Sequence, residues 1–350
     1  MDAAPARLDP VFTPRIWGAR SLAPLYPDMT ELAEPIGEAW LSSYQSRFVN
    51  GPFAGETLAH AWGRMPAEWR GESASREKDF PLLVKFIFPN DRLSVQVHPE
   101  DSYAAKHEIA AGGRGKTEMW YVVSADRDAA VWIGLRAGVT RESFRRAIDD
   151  GNADEMIERV PVQAGDAIYC PAGTVHYIGP GLTLCEIQEY SDLTYRIFDF
   201  NRVGPDGKPR TLHLEKAFDV IRFDEPRGGK LVPIRVKAGA ADETYVVACP
   251  HFAVVMVESR MPFEIQMRPT HFELQIILEG RGKIEFGFEE FEYSRGQAWF
   301  FPAGTGEYRF RPAGRSKILR TYVPADPRDF AGHLETQIMP RSLLSKLVHL

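Results

Sequence analysis

Three polar side chains alternate with apolar ones in the segment LSVQVHP. If this segment is a β-strand, Ser94, Gln96 and His98 share one face, while the other face is apolar and packs into the protein. Polar groups inside a protein need partners, which a metal ion or a ligand can supply. Glu118 opens the later strand pattern EMWYVV, and His176 follows a further strand. Gln96, His98, Glu118 and His176 together offer two imidazoles and two oxygen donors, a set that suits Zn²⁺ with room for a water or substrate oxygen.

Each of these residues also has a simpler interpretation. A single histidine on a strand is more often a hydrogen-bonded structural residue than a ligand. Gln96 is the weakest member of the set, because glutamine is an uncommon ligand and could instead hold His98 in place. The other histidines occur in no comparable pattern, and we expect them to be surface or structural residues: His60, His107, His213, His251, His271, His333 and His349.

Most of the chain shows the period-two alternation of half-buried antiparallel strands, with Gly and Pro between them. The pattern predicts strands at 82–89, 93–99, 118–123, 129–135, 166–171, 182–190, 245–249, 252–259, 272–280, 282–288, 297–304 and 317–323. Helical periodicity is rarer and predicts helices at 101–112, 140–151 and 343–350. Many short strands with few helices favour β-barrels or sandwiches over a parallel α/β sheet.

Composition excludes several classes of protein. The 350 residues contain 42 Lys and Arg against 48 Asp and Glu, so the formal net charge of −6 argues against a nucleic-acid-binding protein. The 3 cysteines form no CxxC pair, which fits a reduced compartment. No signal peptide and no membrane-spanning stretch is visible, so we expect a soluble cytoplasmic protein without membrane partners.

One element occurs twice. Residues 165–176 read GDAIYCPAGTVH and residues 296–307 read GQAWFFPAGTGE, each a strand followed by a Pro-Ala-Gly-Thr turn. This element resembles the second motif of the cupin superfamily, which ends in a metal-binding histidine. That position is His176 in the first copy and Glu307 in the second, where Glu273 leading to Gly280 resembles the first cupin motif.

We therefore predict a mainly β fold of two cupin-type, jelly-roll-like β-barrels with a few inserted helices. Residues 1–205 would form the metal-binding catalytic domain, and residues 206–350 a second, degenerate domain without metal. The polar segment VGPDGKPR, residues 203–210, is a candidate seam between them, or else a long surface loop.

A closer resemblance extends over residues 10–205. The segments PVFTPRIWGARSL, NGPFAGETL, LSVQVHPED, GKTEMWYV, PAGTVHYIGPGLTLCEIQEY and SDLTYRIFDFNR stand in the order found in the type I, zinc-dependent mannose-6-phosphate isomerases. The chain is similar to this family, which implies reversible interconversion of mannose 6-phosphate and fructose 6-phosphate through a cis-enediol. It also implies a small sugar-phosphate substrate and one Zn²⁺ per chain, acting as a Lewis acid.

The resemblance and the strand pattern suggest roles for further residues. Arg196 matches the family's catalytic arginine, Glu186 matches an active-site carboxylate, and Lys85 matches a substrate contact. Lys116 shares the strand face of Glu118, where a nearby Zn²⁺ would lower its pKa and make it a proton carrier, unless it contacts the phosphate. Ser94 is a candidate contact for phosphate or hydroxyl groups. For Arg196 the alternative is a surface ion pair with Asp192 or Asp199.

Two other functions are compatible with a cupin pocket. One is a non-catalytic protein that binds sugar phosphates, although such a protein needs no metal ligands or catalytic arginine. The other is an Fe²⁺-dependent cupin enzyme, which would consume oxygen. The sequence leaves open whether the protein is a monomer or a dimer, and which group carries the proton.

Overall fold

The computed structural model describes residues 3–204, 207–224, 228–330 and 344–350. In the first half the strands are β1 (Ala6–Leu8), β2 (Val11–Ala19), β3 (Ile36–Trp40), β4 (Leu82–Ile87), β5 (Val95–Val97), β6 (Glu118–Ala125), β7 (Ala130–Leu135), β8 (Ile157–Pro161), β9 (Ala167–Cys170), β10 (His176–Ile178), β11 (Leu182–Glu189) and β12 (Tyr195–Phe198). The second half holds β13 (Gly229–Lys230), β14 (Ile234–Ala238), β15 (Ala241–Ala248), β16 (Ala253–Ser259), β17 (Phe263–Gln266), β18 (Glu273–Glu279), β19 (Arg281–Phe286), β20 (Glu289–Ser294), β21 (Ala298–Phe301), β22 (Glu307–Pro312) and β23 (Ser316–Tyr322).

Helices are few and short. They are α1 (Leu58–Arg64), α2 (Ala67–Arg70), α3 (Asp101–His107), α4 (Arg141–Asp149) and α5 (Leu214–Val220), with 3₁₀ turns at Ile109–Ala111 and Ala153–Met156. Helix α4 begins with a capping box, in which the Thr140 hydroxyl accepts the Ser143 N–H and the Ser143 hydroxyl accepts the Thr140 N–H. No helix among the described residues is long and apolar enough to cross a membrane.

The strands form four antiparallel sheets. The first-half strands β2 to β12, joined by β13, form a seven-stranded sheet, β13-β9-β6-β11-β4-β3-β2, and a five-stranded sheet, β12-β5-β10-β7-β8. The second-half strands β14 to β23, joined by β1, form a seven-stranded sheet, β1-β21-β18-β23-β16-β15-β14, and a four-stranded sheet, β17-β22-β19-β20. The predicted mainly β fold is confirmed.

The hydrophobic clusters show how these sheets pack. One cluster, including Trp120 and Val131, joins the two sheets of the first half, and another, including Ile284 and Phe301, joins those of the second half. A third cluster, which includes Phe86 and Phe300, lies between the two seven-stranded sheets. Helices α4 and α5 cover the outer face of the five-stranded sheet. The molecule is therefore a stack of sheets with one helical outer layer.

All twelve predicted strand segments contain strands, and the first two predicted helices are α3 and α4. The helix predicted at 343–350 is wrong where it is described, because a turn follows Leu344 and Val348 forms a parallel bridge with Ala248. The segment is apolar for another reason: Leu344 and Leu347 pack into the hydrophobic cluster that joins the two sheets of the second half. The division at residue 205 remains a prediction; β1 pairs with β21, and β13 pairs with β9.

The repeated element is equivalent in structure as well as in sequence. Each copy runs from a strand, β9 or β21, through a turn in which Gly173 or Gly304 has a positive φ, into the next strand. His176 and Glu307 are the first residues of those next strands, β10 and β22. The sequence repeat thus places these two side chains at corresponding points of the two halves.

Candidate active site

A cavity of about 350 Å³ lies between the five-stranded and seven-stranded sheets of the first half. Its lining is rich in charged side chains, and it includes eight groups from both sheets and adjoining loops: Glu38, Lys85, Ser94, Gln96, Lys116, Glu186, Arg196 and Arg210. A more open depression of about 760 Å³, lined by Arg7, Tyr26 and Arg281, holds no described group of three metal-ligating side chains. The first cavity is therefore the candidate active site.

Three metal-ligating side chains converge behind the wall of this cavity, in contact with its lining residues Gln96 and Lys116. His98, Glu118 and His176 are each no more than 1% exposed, and their ligand atoms lie within 4.8 Å of one another. The Glu118 carboxylate lies 3.3 Å from Nε2 of His176 and 3.7 Å from Nε2 of His98. Sheet register brings them together, because His176 on β10 pairs with Gln96 on β5 and leaves the side chains facing β6.

Backbone carbonyls fix the tautomer of both histidines. Nδ1 of His98 lies 2.7 Å from the Leu193 carbonyl, and Nδ1 of His176 lies 2.9 Å from the Thr174 carbonyl. A carbonyl only accepts, so each Nδ1 carries the proton that it donates. Each Nε2 of a neutral ring is then an acceptor, reached by the Gln96 amide nitrogen in His176 and by the Lys116 ammonium group in His98. Burial lowers the pKa of His176 to about 4 and that of His98 well below its usual value, so both rings are neutral near pH 7.

The arrangement fits a bound cation. Oε1 of Glu118 is buried and receives no hydrogen bond, and the atom facing it is the unprotonated Nε2 of His176. Two lone pairs held 3.3 Å apart repel each other unless a positive ion lies between them. Tautomer-fixing hydrogen bonds to the far ring nitrogen are also typical of metal-binding histidines. The Gln96 amide nitrogen donates to Nε2 of His176 at 3.2 Å, so the amide oxygen would reach the same point only after the amide group turns over.

Lys116 lies next to these ligands, although it precedes β6 rather than belonging to it. Its Nζ is 2.8 Å from the Glu118 carboxylate, 3.3 Å from Nε2 of His98 and 3.7 Å from the Glu186 carboxylate. Burial lowers the pKa of Lys116, but the Glu118 and Glu186 carboxylates outweigh that effect and raise it. These surroundings favour the charged ammonium form, and the lower pKa expected beside Zn²⁺ remains a prediction.

Glu186 and Lys85 lie on adjacent strands, β11 and β4, and are directly paired in register. Burial, opposed by Lys116 and Lys85 and reinforced by Glu118, raises the pKa of Glu186 to about 7. Lys85 is 1% exposed, so its ammonium group is buried and does not extend into solvent. Its Nζ lies 3.4 Å from Asp192 and 3.8 Å from Glu186 and Glu38.

Arg196 lines the cavity from β12, opposite Gln96. Its Nη1 donates to the Thr211 carbonyl at 2.9 Å, while its Nε is buried without a partner. The alternative pairing with Asp199 is not seen, since that carboxylate is taken by Arg202 and Arg210, each at 2.7 Å. Arg196 is thus a cavity cation with an unused donor. Ser94 is buried in the same wall.

The sequence reasoning missed four charged groups of this wall. Arg15, Glu38, Asp192 and Arg210 come from strand β2, strand β3 and two loops far apart in the chain. Arg15 and Glu38 form an ion pair of 2.6 Å. Their segments carry no spacing that indicates a site. Only two of them, Arg15 and Asp192, lie in the family-like segments PVFTPRIWGARSL and SDLTYRIFDFNR.

Six of the other histidines lie outside the cavity. His60 pairs with Glu56, His107 and His349 stack on tyrosines, His213 accepts the Arg196 backbone N–H, His251 contacts Glu189, and His271 stacks on Tyr322. His333 lies outside the described residues. In the second half, Arg320 donates to both oxygens of the buried Glu273 at 2.8 and 2.6 Å, and Glu307 is exposed.

Comparison with known proteins identifies the family. A family model described as the phosphomannose isomerase type I catalytic domain matches residues 6–119. The mannose-6-phosphate isomerase of Streptococcus mutans is 34% identical over 312 residues, which cover 88% of this chain and 95% of that protein. The chain belongs to the mannose-6-phosphate isomerase family. Another relative, mannose-6-phosphate isomerase ManA of Bacillus subtilis, is 35% identical over 319 residues, covering 88% of this chain and 96% of that protein.

Structural similarity extends over both halves. The crystal structure of the Bacillus subtilis mannose 6-phosphate isomerase aligns with a TM-score of 0.82 at 26% identity, and the alignment covers 91% of this chain and 99% of that one. The predicted resemblance is confirmed, and the protein is an isomerase of this family. The segments around Ser94, Gln96, His98 and Glu118 fall within the family match.

Proposed function

We propose that the protein interconverts mannose 6-phosphate and fructose 6-phosphate through a cis-enediol, with one Zn²⁺ held by Gln96, His98, Glu118 and His176. The observation that carries this proposal is the meeting of two unprotonated imidazole nitrogens with a buried carboxylate oxygen that receives no hydrogen bond. Neutral nitrogen ligands with oxygen donors are the set that zinc prefers at sites open to substrate. Relatives named mannose-6-phosphate isomerases supply the substrate.

When bound, the zinc ion supplies Lewis-acid polarisation of the sugar's carbonyl and hydroxyl oxygens. The protein supplies the proton transfer. We assign it to Glu186, whose carboxylate takes the proton from C2 of the aldose and returns it to C1 of the enediol. The hydroxyl proton on O2 passes to O1, so the product is an isomer with no net gain or loss of atoms. A carboxyl group with a pKa of about 7 suits both halves of this transfer near neutral pH.

Three cations and a hydroxyl group complete the proposed site. Lys116, 3.7 Å from Glu186, keeps positive charge beside the proton carrier and the developing enediolate. The free Nε of Arg196 donates to a substrate oxygen and stabilises the same charge. Ser94 contacts the sugar phosphate from the same wall as Arg196, and Lys85 contacts it from the opposite wall. Lys85 would do so while paired with the Asp192 carboxylate at 3.4 Å.

The proposal is tested by following the reaction in D₂O. Purified protein supplied with Zn²⁺ should convert mannose 6-phosphate to fructose 6-phosphate, and NMR should show solvent deuterium at C1 of the product. Glu186→Gln should reduce both turnover and deuterium exchange by roughly 10²-fold or more, because the amide cannot carry the proton. Tight binding of the sugar phosphate by wild-type protein without turnover would instead identify a binding protein.

A further inference from the structure

A second group of ligating side chains lies beside the active site but outside its lining. Asp101 begins helix α3, Glu189 ends strand β11, and His251 lies in the loop between β15 and β16 of the second half. Nδ1 of His251 is 3.1 Å from the Glu189 carboxylate and 4.0 Å from the Asp101 carboxylate. Glu189 is buried, His251 is about one third exposed, and Asp101 is exposed. The histidine therefore bridges two carboxylates that belong to the other half of the chain.

Both carboxylates already hold the backbone that leads into strand β6. An oxygen of Asp101 accepts the Gly115 N–H at 2.7 Å, and Oε1 of Glu189 accepts the Thr117 N–H at 2.7 Å. The intervening Lys116 N–H donates to the Pro99 carbonyl at 3.0 Å. Three successive N–H groups, at positions 115 to 117, are thus held from outside the strand before it joins the sheet at Glu118.

This segment carries two of the residues assigned to the chemistry, Lys116 and Glu118. It also has no room to shift, since a Cβ on Gly115 would lie 2.5 Å from the Asp101 backbone nitrogen. A displacement of the Thr117 backbone would move Lys116 and Glu118 relative to both histidines. Metal ligands and charged catalytic groups tolerate such displacement poorly, and losing a partner behind a ligand typically costs 10–100-fold in metal affinity or activity.

We propose that Glu189 and Asp101, joined by His251, are positioning residues that hold Lys116 and Glu118 in place for zinc binding and isomerisation. This inference rests on the proposed function and gives the second half of the chain a role at the active site. His251 acts by restraining Glu189, and Glu189 acts through its hydrogen bond to the Thr117 N–H. None of the three residues touches the substrate.

Two substitutions of Glu189 separate positioning from charge. Glu189→Ala removes the acceptor for the Thr117 N–H, whereas Glu189→Gln keeps a carbonyl oxygen that can accept it. Burial and Asp101 raise the pKa of Glu189 to about 8, so glutamine also resembles the protonated carboxyl present at neutral pH. His251→Ala removes only the bridge and serves as the decisive variant if Glu189→Ala does not fold.

A control substitution comes from a similar contact elsewhere. The Asn50 side chain accepts the Arg7 N–H at 2.8 Å and donates to the Pro5 carbonyl, so it braces the backbone around β1. Asn50→Ala should lower the melting temperature without changing zinc affinity. This variant measures how losing a side-chain hydrogen bond to the backbone affects stability when that hydrogen bond lies away from the active site.

The measurement is the zinc dissociation constant, obtained by competition with a chromophoric chelator, alongside kcat and KM for mannose 6-phosphate. We expect Glu189→Ala to weaken zinc binding 10–100-fold and to lower kcat similarly, with KM within about threefold. Glu189→Gln should stay within about threefold of wild type, and His251→Ala should weaken zinc binding about three- to tenfold.

Wild-type zinc affinity in folded Glu189→Ala, or in His251→Ala if the former does not fold, would overturn the inference. Equal losses of zinc affinity and kcat in Glu189→Gln and Glu189→Ala would also overturn the inference. They would show that the hydrogen bond accepted from the Thr117 N–H does not position the site. Failure of the proposed function looks different, because wild-type protein would then fail to bind zinc or to turn over mannose 6-phosphate. If it binds zinc without turnover, the comparison of zinc affinities still decides the inference.

Discussion

At the scale of single residues, the site is explained by donors and acceptors. His98 and His176 each give their one proton to a backbone carbonyl, and Glu118 has an oxygen with no donor. Lys116 neutralises the carboxylate from one side only. Burying a carboxylate oxygen without a hydrogen-bond donor destabilises the folded protein unless a cation binds that oxygen. For this reason we interpret the cluster as a metal site rather than as a structural hydrogen-bond network.

Arg196 gives the first prediction. Arg196→Ala should lower kcat by 10²- to 10³-fold, because a donor aimed at a developing negative charge is lost. Arg196→Lys should recover little of this loss, since an ammonium group cannot replace a guanidinium that binds Thr211 with one nitrogen and leaves Nε free. Zinc content of both variants should equal that of wild type. An Arg196→Ala variant with more than a tenth of wild-type kcat would show that the arginine is not catalytic.

The candidate ligands could be named from the sequence because local patterns point to them. Strand alternation placed Gln96 with His98, and the repeated turn marked His176. Arg210 and the Glu189–His251 contact were out of reach, because each depends on the packing of segments far apart in the chain. No periodicity or spacing encodes a contact such as the one between residues 189 and 251.

At the scale of elements, the alternation of LSVQVHP predicted strand β5 although it has only three residues. Strand β10 has the same length and was missed, because all three of its residues are buried and its sequence does not alternate. Helix α5 was missed because its seven residues have no helical continuation, whereas the pattern of α3 extends into the 3₁₀ turn at Ile109–Ala111. The false helix at 343–350 shows the converse, since apolar spacing alone does not distinguish a helix from a packed turn.

The pair formed by β18 and β23 gives the second prediction. Despite its burial, the pKa of Glu273 is lowered by the Arg320 guanidinium and by His271. A carboxyl group with a lowered folded-state pKa stabilises the protein above its unfolded-state pKa of about 4.3, and this stability is lost as the pH falls further. Glu273→Gln should cost about 3–5 kcal/mol at pH 7, because the largely buried Arg320 loses its bidentate carboxylate partner and keeps only the weaker ion pair with Glu243 at 3.9 Å.

Urea unfolding at pH 7 and at pH 4 and below measures both effects. Wild type should lose free energy of unfolding as the pH falls below about 4.3, and Glu273→Gln should lose less over the same interval. Glu258→Gln is the control, since its partner Arg315 is more than one third exposed, and it should cost no more than about 1 kcal/mol. Equal costs for the two variants would contradict the account of the buried pair.

At the scale of the whole molecule, the two seven-stranded sheets pack against each other through a continuous apolar cluster. Strand β1 adds to the far sheet, and α2 ends at Gly71 against the backbone of His271. The second half therefore supports the first mechanically as well as through His251. The recurrence of one structural element in both halves could be predicted from the sequence repeat, but this interface could not, since it is formed by residues spread from Leu8 to Leu319.

Gly71 tests this packing. Its φ of +78° disfavours any side chain, and a Cβ would lie 2.5 Å from the Cα of His271. Gly71→Ala should destabilise the protein by about 3 kcal/mol or more, from backbone strain and overpacking together. Gly63→Ala in helix α1, where a Cβ meets nothing within 4 Å, should stabilise it by about 0.5–1 kcal/mol. The midpoints of urea unfolding measure both changes in stability. An unchanged midpoint in Gly71→Ala would show that the contact between Gly71 and His271 is not tight.

The most direct measurement of the central claim is a zinc titration of metal-free protein, followed by isomerase activity on mannose 6-phosphate. The account predicts no activity at the start, a linear rise, and a break at one zinc ion per chain. In His176→Ala the rise should be lost, whereas His349→Ala, which alters a histidine outside the cavity, should reproduce the wild-type curve. Full activity in metal-free protein, or a wild-type titration curve from His176→Ala, would contradict the account.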